Sequence, residues 1–274
     1  MSLSVAGVAC SSGGSDSSSD ERRSGAASAP TTSVATTVAS TDLTAPTEST
    51  EPGATPLAGV VIVVDPGHNG ANGAHPEVIN RQVDAGGFQK ACNTTGAATD
   101  DGVTESAINW AVAQQVRNRL AALGAEVVLT RDSDDGVGPC IDERGLMAVS
   151  SGADLLVSLH ADGAAPDGSG FHVIHPKPLA GYTDATAAPS LQLAQAVRDA
   201  LVTAGFLPSS YVGDGGLDER GDLGTLNRSG VPAVILEAGN LRNRADAALL
   251  TSTDGQRRLA DAVTAGVVTF LGPR

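Results

Sequence analysis

Three short stretches, residues 60–64, 154–159 and 231–236, are apolar at nearly every position and rich in Val, Ile and Leu. A strand with one wet face alternates polar and apolar side chains. A run apolar on both faces belongs instead to a sheet covered on both sides, the habit of parallel strands in α/β proteins. Helical signals lie between the runs. Thr104 is placed to cap a helix in which Ile108, Val112, Val116 and Leu120 form a stripe, and Gly124 stops it before a strand over residues 125–130. Further helices are expected over residues 141–151, 191–204 and 256–271, with another strand over 171–175. The expected fold is a single α/β domain, a mostly parallel twisted sheet of about six strands with helices on both faces.

That domain is expected to occupy residues 58–274. Residues 1–57 are rich in Ser, Thr, Ala, Gly and Pro, and burial of so few large apolar side chains cannot offset chain entropy, so they read as a disordered tether. Within them a short apolar stretch from Leu3 to Ala9 stops at Cys10 and gives way to a polar chain. This resembles a bacterial lipoprotein signal cut short, with Gly7 where such signals usually carry Leu. Two readings of Cys10 stand at this point, a lipidation site or a stray cysteine in an ordinary tail. Nothing else approaches the roughly 20 apolar residues needed to span a bilayer.

Charge excludes one class of partner. The formal net charge is −14, and the first 57 residues hold six acids against Arg22 and Arg23, which leaves −10 on the domain. Such a surface repels phosphate backbones, and no basic stripe with interleaved aromatics is present, so nucleic acid is not an expected partner. Cys92 and Cys140 both fall in loop-like sequence, and neither belongs to a CxxC pair. Outside the cell they are free to pair, and closing that loop would stabilise by about 4 kcal/mol on the chain-entropy model. In a reducing cytosol they would be two free thiols.

Four residues sit where a run or loop hands over to the next element: His68 in VVIVVDPGHNG, Glu105 in DGVTESAIN, His160 in DLLVSLHADG and Glu237 in PAVILEAGN. Ligands of open parallel sheets bind in the crevice at the carboxyl ends of the strands. His68 follows the first strand, while His160 and Glu237 are expected to end two others. Glu105 falls in a first helical turn, where the helix dipole favours the ionised carboxylate that a metal needs. Taken singly, each has an ordinary role available: a loop histidine, a first-turn acid, a strand-end histidine, an acceptor for Arg242. Arg131 and Arg144 read as structural partners of Asp132, Asp142 and Glu143. His75, His172 and His175 read as surface or core residues, with His172 and Lys177 as secondary substrate contacts. Asp214, Asp218, Glu219 and Asp222 read as a solvated acidic loop without EF-hand spacing.

The ordered series VVDPGHNG, TESAINWAVA, LLVSLHADG with GFHVIHP behind it, and LNRSGVPAVILEAGNLRN resembles the zinc-dependent N-acetylmuramoyl-L-alanine amidases of the type 3 family, in their compact mycobacterial form. The likeness runs over about residues 60–270. It implies one Zn2+ per chain held by His68, Glu105 and His160, Glu237 as the catalytic carboxylate, and a Cys92–Cys140 disulfide. It also implies a peptidoglycan or muropeptide substrate, cut at the amide between the lactyl group of N-acetylmuramic acid and L-alanine. A monomer in the cell envelope, outside the plasma membrane and either secreted or lipid-anchored, fits that substrate. Two other functions share the motif set: a zinc peptidase trimming stem peptides, and a non-catalytic wall-binding regulator. The glycine-rich segment between His68 and Glu105 is too loop-like for a plugging helix, so an open cleft is expected.

Overall fold

The computed structural model describes residues 55–272, and Cys10 and most of the proposed tether lie outside them. The elements run β1 (Val61–Pro66), α1 (Pro76–Ile79), β2 (Gln82–Asp84), β3 (Gln89–Ala91), α2 (Glu105–Ala122), β4 (Glu126–Leu129), α3 (Ile141–Ser150) and β5 (Leu155–Asp162). Then follow β6 (His172–Pro176), α4 (Ala187–Thr203), β7 (Leu217–Arg220), α5 (Gly224–Asn227), β8 (Ala233–Asn240), α6 (Arg244–Thr251) and α7 (Thr253–Leu271). Six strands form one sheet in the order β4-β1-β5-β8-β6-β7, and β2 and β3 make a separate hairpin. Only the β6–β8 pair is antiparallel within the large sheet. The α/β architecture expected from the apolar runs is the one observed.

Period-two alternation divides the sheet's side chains between two layers. Ile62, Val64, Val157, Leu159, Val234 and Leu236 pack on the side of α2, α4 and α7, in the larger core cluster. Val63, Leu156, Ile174 and Ile235 face the other way, onto Ala148 of α3 and Leu226 of α5. Each such aliphatic side chain contributes about 1.5–3 kcal/mol when fully buried. The second cluster is smaller, and the parity that fills it also assigns Asp65, Ser158, His160, Glu237 and His172 to the same face. Small helices cover that face only in part, which leaves room for a cleft.

Three expectations need correction. His160 and Glu237 do not end their strands. β5 and β8 keep pairing beyond the apolar runs, through a register shift between His160 and Asp162. The supposed acidic loop contains β7, an edge strand whose polar residues give no apolar signal, paired parallel with β6. Helices α1, α5 and α6 and the β2–β3 hairpin were not foreseen, being too short to show a period. Cys92 and Cys140 are buried and joined as a disulfide across 48 residues, with Cys140 at the start of α3.

Candidate metal and active site

The turn leaving β1 carries His68, the one non-glycine residue at positive φ (59°) among the described residues. That conformation costs an L-residue about 1–2 kcal/mol, so the surroundings must impose it. Arg144 does much of this. Its Nη2 donates to the carbonyls of His68 at 2.7 Å and Gly138 at 2.9 Å, while Nη1 donates to the Pro66 carbonyl at 2.8 Å and to Asp65 at 2.6 Å. Asp65 also accepts from the hydroxyls of Ser158 and Thr130. Burial opposes the Asp65 charge, but Arg144 and the two hydroxyls outweigh it and bring the carboxyl down to about 2. The expected partners of the two arginines are therefore wrong. Arg144 pairs with Asp65, which the end of β1 supplies from far away in sequence, and Arg131 with Asp134, three residues on in the loop after β4.

His68 donates from Nδ1 to the carbonyl of Thr94 at 3.1 Å, which fixes the ring and turns Nε2 toward Glu105. Nε2 lies 3.1 Å from Glu105 Oε1, and His160 Nδ1 lies 3.0 Å from the same oxygen. The two rings meet edge to face, 4.8 Å between centroids. Thr104 caps α2 through its side chain, which places Glu105 in the first turn. The Glu105 carboxylate accepts further from the amides of Ala97 at 2.8 Å and Ala161 at 3.1 Å, and from Asn109 at 3.3 Å. Burial alone raises its pKa, yet the two imidazoles overcome that and hold it well below the ordinary range. Burial likewise works against a charged His68, and Glu105 reverses it upward.

One ligand atom from each of His68, Glu105 and His160 lies within 4.8 Å of the others, a group able to hold a metal ion. Glu237 stands opposite His160 in the β5–β8 register and opposite His172 in the β8–β6 register. Its Oε2 is buried without a hydrogen-bond partner. Burial, and then the charges of Glu105 and Asp162, push its pKa well above the carboxylate range. All four residues line one cleft of about 310 Å³. Among the described residues no long helix lies in the chain between His68 and Glu105.

Two glycines make the crowding possible. A Cβ on Gly67 would collide with the His160 ring, and one on Gly96, itself at φ +80°, would fall 2.8 Å from Glu105 Oε2 and 2.9 Å from the His68 ring. Gly67→Ala is therefore expected to displace His160 and weaken metal binding by about 10- to 100-fold, the usual cost of losing ligand orientation. Chelator competition measures this, and unchanged affinity would show that His160 has another way to sit.

Other sequence candidates lie elsewhere. Arg242 pairs with Asp100 rather than Glu237, and His75 pairs with exposed Glu77. His172 and His175 are buried. Sequence reasoning missed Thr94, Asn109, Asp162 and Arg220, all of which touch the site or line its cleft. Asn109 had a readable signal, since it stands four residues after Glu105 on one helical face.

The sequence profile of the N-acetylmuramoyl-L-alanine amidase family matches residues 62–269. The chain belongs to this family. It is 42% identical over 216 residues to the N-acetylmuramoyl-L-alanine amidase Rv3717 of Mycobacterium tuberculosis, covering 78% of this chain and 88% of that one. The crystal structure of the amidase Ami1 from Mycobacterium smegmatis superposes with a TM-score of 0.75 at 43% identity, over 79% of this chain and 98% of that one. Ami1 from Mycobacterium abscessus gives 0.75 at 41% identity, over 79% of this chain and all of its own. The amidase match starts in β1, ahead of His68, and ends in α7, so every residue of the cleft lies inside it.

Proposed function

We propose that this amidase hydrolyses the bond between the lactyl carbonyl of N-acetylmuramic acid and L-alanine, with one zinc ion held by His68, Glu105 and His160 and with Glu237 moving the protons. Two imidazole nitrogens and a carboxylate oxygen form a donor set suited to catalytic zinc, which keeps a position open. When bound, such an ion supplies Lewis acidity, bringing water toward ionisation near neutral pH and polarising an adjacent carbonyl.

The observation that carries this reading is Glu237 Oε2, buried with no protein partner beside the metal-capable triad. A carboxylate oxygen stripped of water and left unpaired is costly unless a ligand completes it, and a nucleophilic water is such a ligand. Glu237 takes the proton of the attacking water and later delivers it to the departing alanine nitrogen, one group serving as base and then acid. The Thr94 carbonyl keeps the His68 ring oriented. The Ala97 and Ala161 amides hold the Glu105 carboxylate in place.

Digestion of purified muropeptides followed by mass spectrometry tests the bond cut. Release of intact stem peptide with a free alanine amine is the expected product. Fragments cut within the stem would favour a peptidase, and no product at all would favour a binding role. We further place this action outside the plasma membrane at the wall, where an oxidising compartment suits the Cys92–Cys140 disulfide. Cys10 is the proposed point of lipid attachment.

A further inference from the structure

The edge strand β7 ends in Arg220, the one Lys or Arg among the described residues that lines the chamber holding Glu237. Arg220 is not loose. Its Nε and Nη2 donate to the two carboxylate oxygens of Asp222, each at 2.8 Å. Lys90, from β3, donates to the Asp222 backbone carbonyl at 2.7 Å and to its Oδ2 at 3.3 Å. Two cations thus share one carboxylate, which sets the guanidinium's plane, and Asp222 first, then Asp218 and Glu237, hold the Arg220 charge firmly in place. Lys90 lines an adjoining chamber of about 200 Å³ that shares His68, Thr94, His160, Leu223 and Ile235 with the first.

We propose that Arg220, preset by Asp222 and Lys90, is a specificity residue that binds a free carboxylate of the substrate's stem peptide. The inference rests on the amidase reading above. Its chemistry follows from where charge lies in such a substrate. The sugar side offers hydroxyl and acetamido groups, and the lactyl carboxyl is already spent in the scissile amide. Anionic groups near that bond therefore belong to the peptide. Asp162 on β5 repels a carboxylate from the triad side of the cleft while Arg220 attracts it from β7, so the charges orient as well as bind. β7 and β8 flank β6, where Arg220 stands opposite Pro176 and Glu237 opposite His172, four residues back, which sets their backbones about 16 Å apart. The long arginine side chain still reaches back into the cleft that Glu237 lines, where it meets a peptide group beyond the first stem residue.

Two probes test this: N-acetylmuramoyl-L-alanyl-D-glutamate with both carboxyls free, and the same compound with both converted to carboxamides. The native enzyme is expected to favour the diacid in kcat/KM by about 10- to 100-fold, mainly through KM, the effect of one charge-assisted hydrogen bond. Arg220→Gln is expected to abolish the preference, lowering kcat/KM on the diacid by about 10- to 100-fold more than on the diamide. Arg220→Lys is expected to keep part of it. Equal preference in native and Arg220→Gln enzymes overturns the proposal, as does an equal loss on both probes through kcat, which would make Arg220 a positioning residue for Glu237. If the native enzyme cleaves neither probe, the amidase reading fails separately. Calorimetric binding then decides the arginine's role: diacid affinity lost in Arg220→Gln supports it, and equal affinity overturns it.

Discussion

Glu237→Gln is expected to lower turnover on muramoyl peptides by about 10²- to 10⁴-fold, the range that general acid–base catalysis supplies, with zinc still bound. The substitution preserves shape and removes the ability to accept a proton. Glu237 lies in register with His160 but does not belong to the triad whose ligand atoms converge, so the three donors remain in place. His68→Ala behaves differently, because it deletes a donor and also frees the Thr94 carbonyl, and it loses metal and activity together. Paired zinc analysis and initial rates separate the two variants. A Glu237→Gln enzyme that turns over at the native rate would remove Glu237 from the chemistry.

The second large effect is expected at Asp65, which is remote from substrate. Asp65→Asn leaves the buried Arg144 guanidinium without its counter-charge, a change worth about 3–5 kcal/mol in comparable sites. Against a total stability of order 5–15 kcal/mol this is a large share, read as a lower denaturant midpoint with unchanged slope. The same arginine holds the His68 carbonyl, so zinc affinity falls as well. The pair also carries a pH signature. The folded pKa of Asp65 is about 2 against an ordinary value of 3.8, so the contribution is complete above 3.8 and disappears as pH falls through that value toward 2. About 2 kcal/mol is at stake in that window. Asp65→Asn should flatten the acid limb of the stability curve there, and an unchanged limb would assign acid unfolding to other carboxylates.

Much of the fold was legible because the strands at its centre are apolar on both faces, which only a doubly covered sheet explains. β7 was not legible, because Leu217–Arg220 lies at an edge and carries three charged residues in four. The same property hid Arg220, since a charged edge strand and a solvated loop look alike in sequence. The four central site residues could be found because His68, His160 and Glu237 follow apolar runs, although the last two lie inside their strands, and the Thr104 cap foretold the place of Glu105. Their supports could not. Thr94 acts through a backbone carbonyl that its side chain does not advertise. Asp65 and Arg144 are 79 residues apart, and nearer acids beside Arg144 offered a more obvious but incorrect partner.

The most direct test of the account is a zinc titration of chelator-stripped protein, following hydrolysis of a muramoyl peptide against bound metal. Activity is expected to be absent at the start, to rise in proportion to zinc, and to stop rising at one equivalent per chain. Undiminished hydrolysis by the stripped protein, or a plateau reached only at two equivalents, would contradict a single ion gripped by His68, Glu105 and His160.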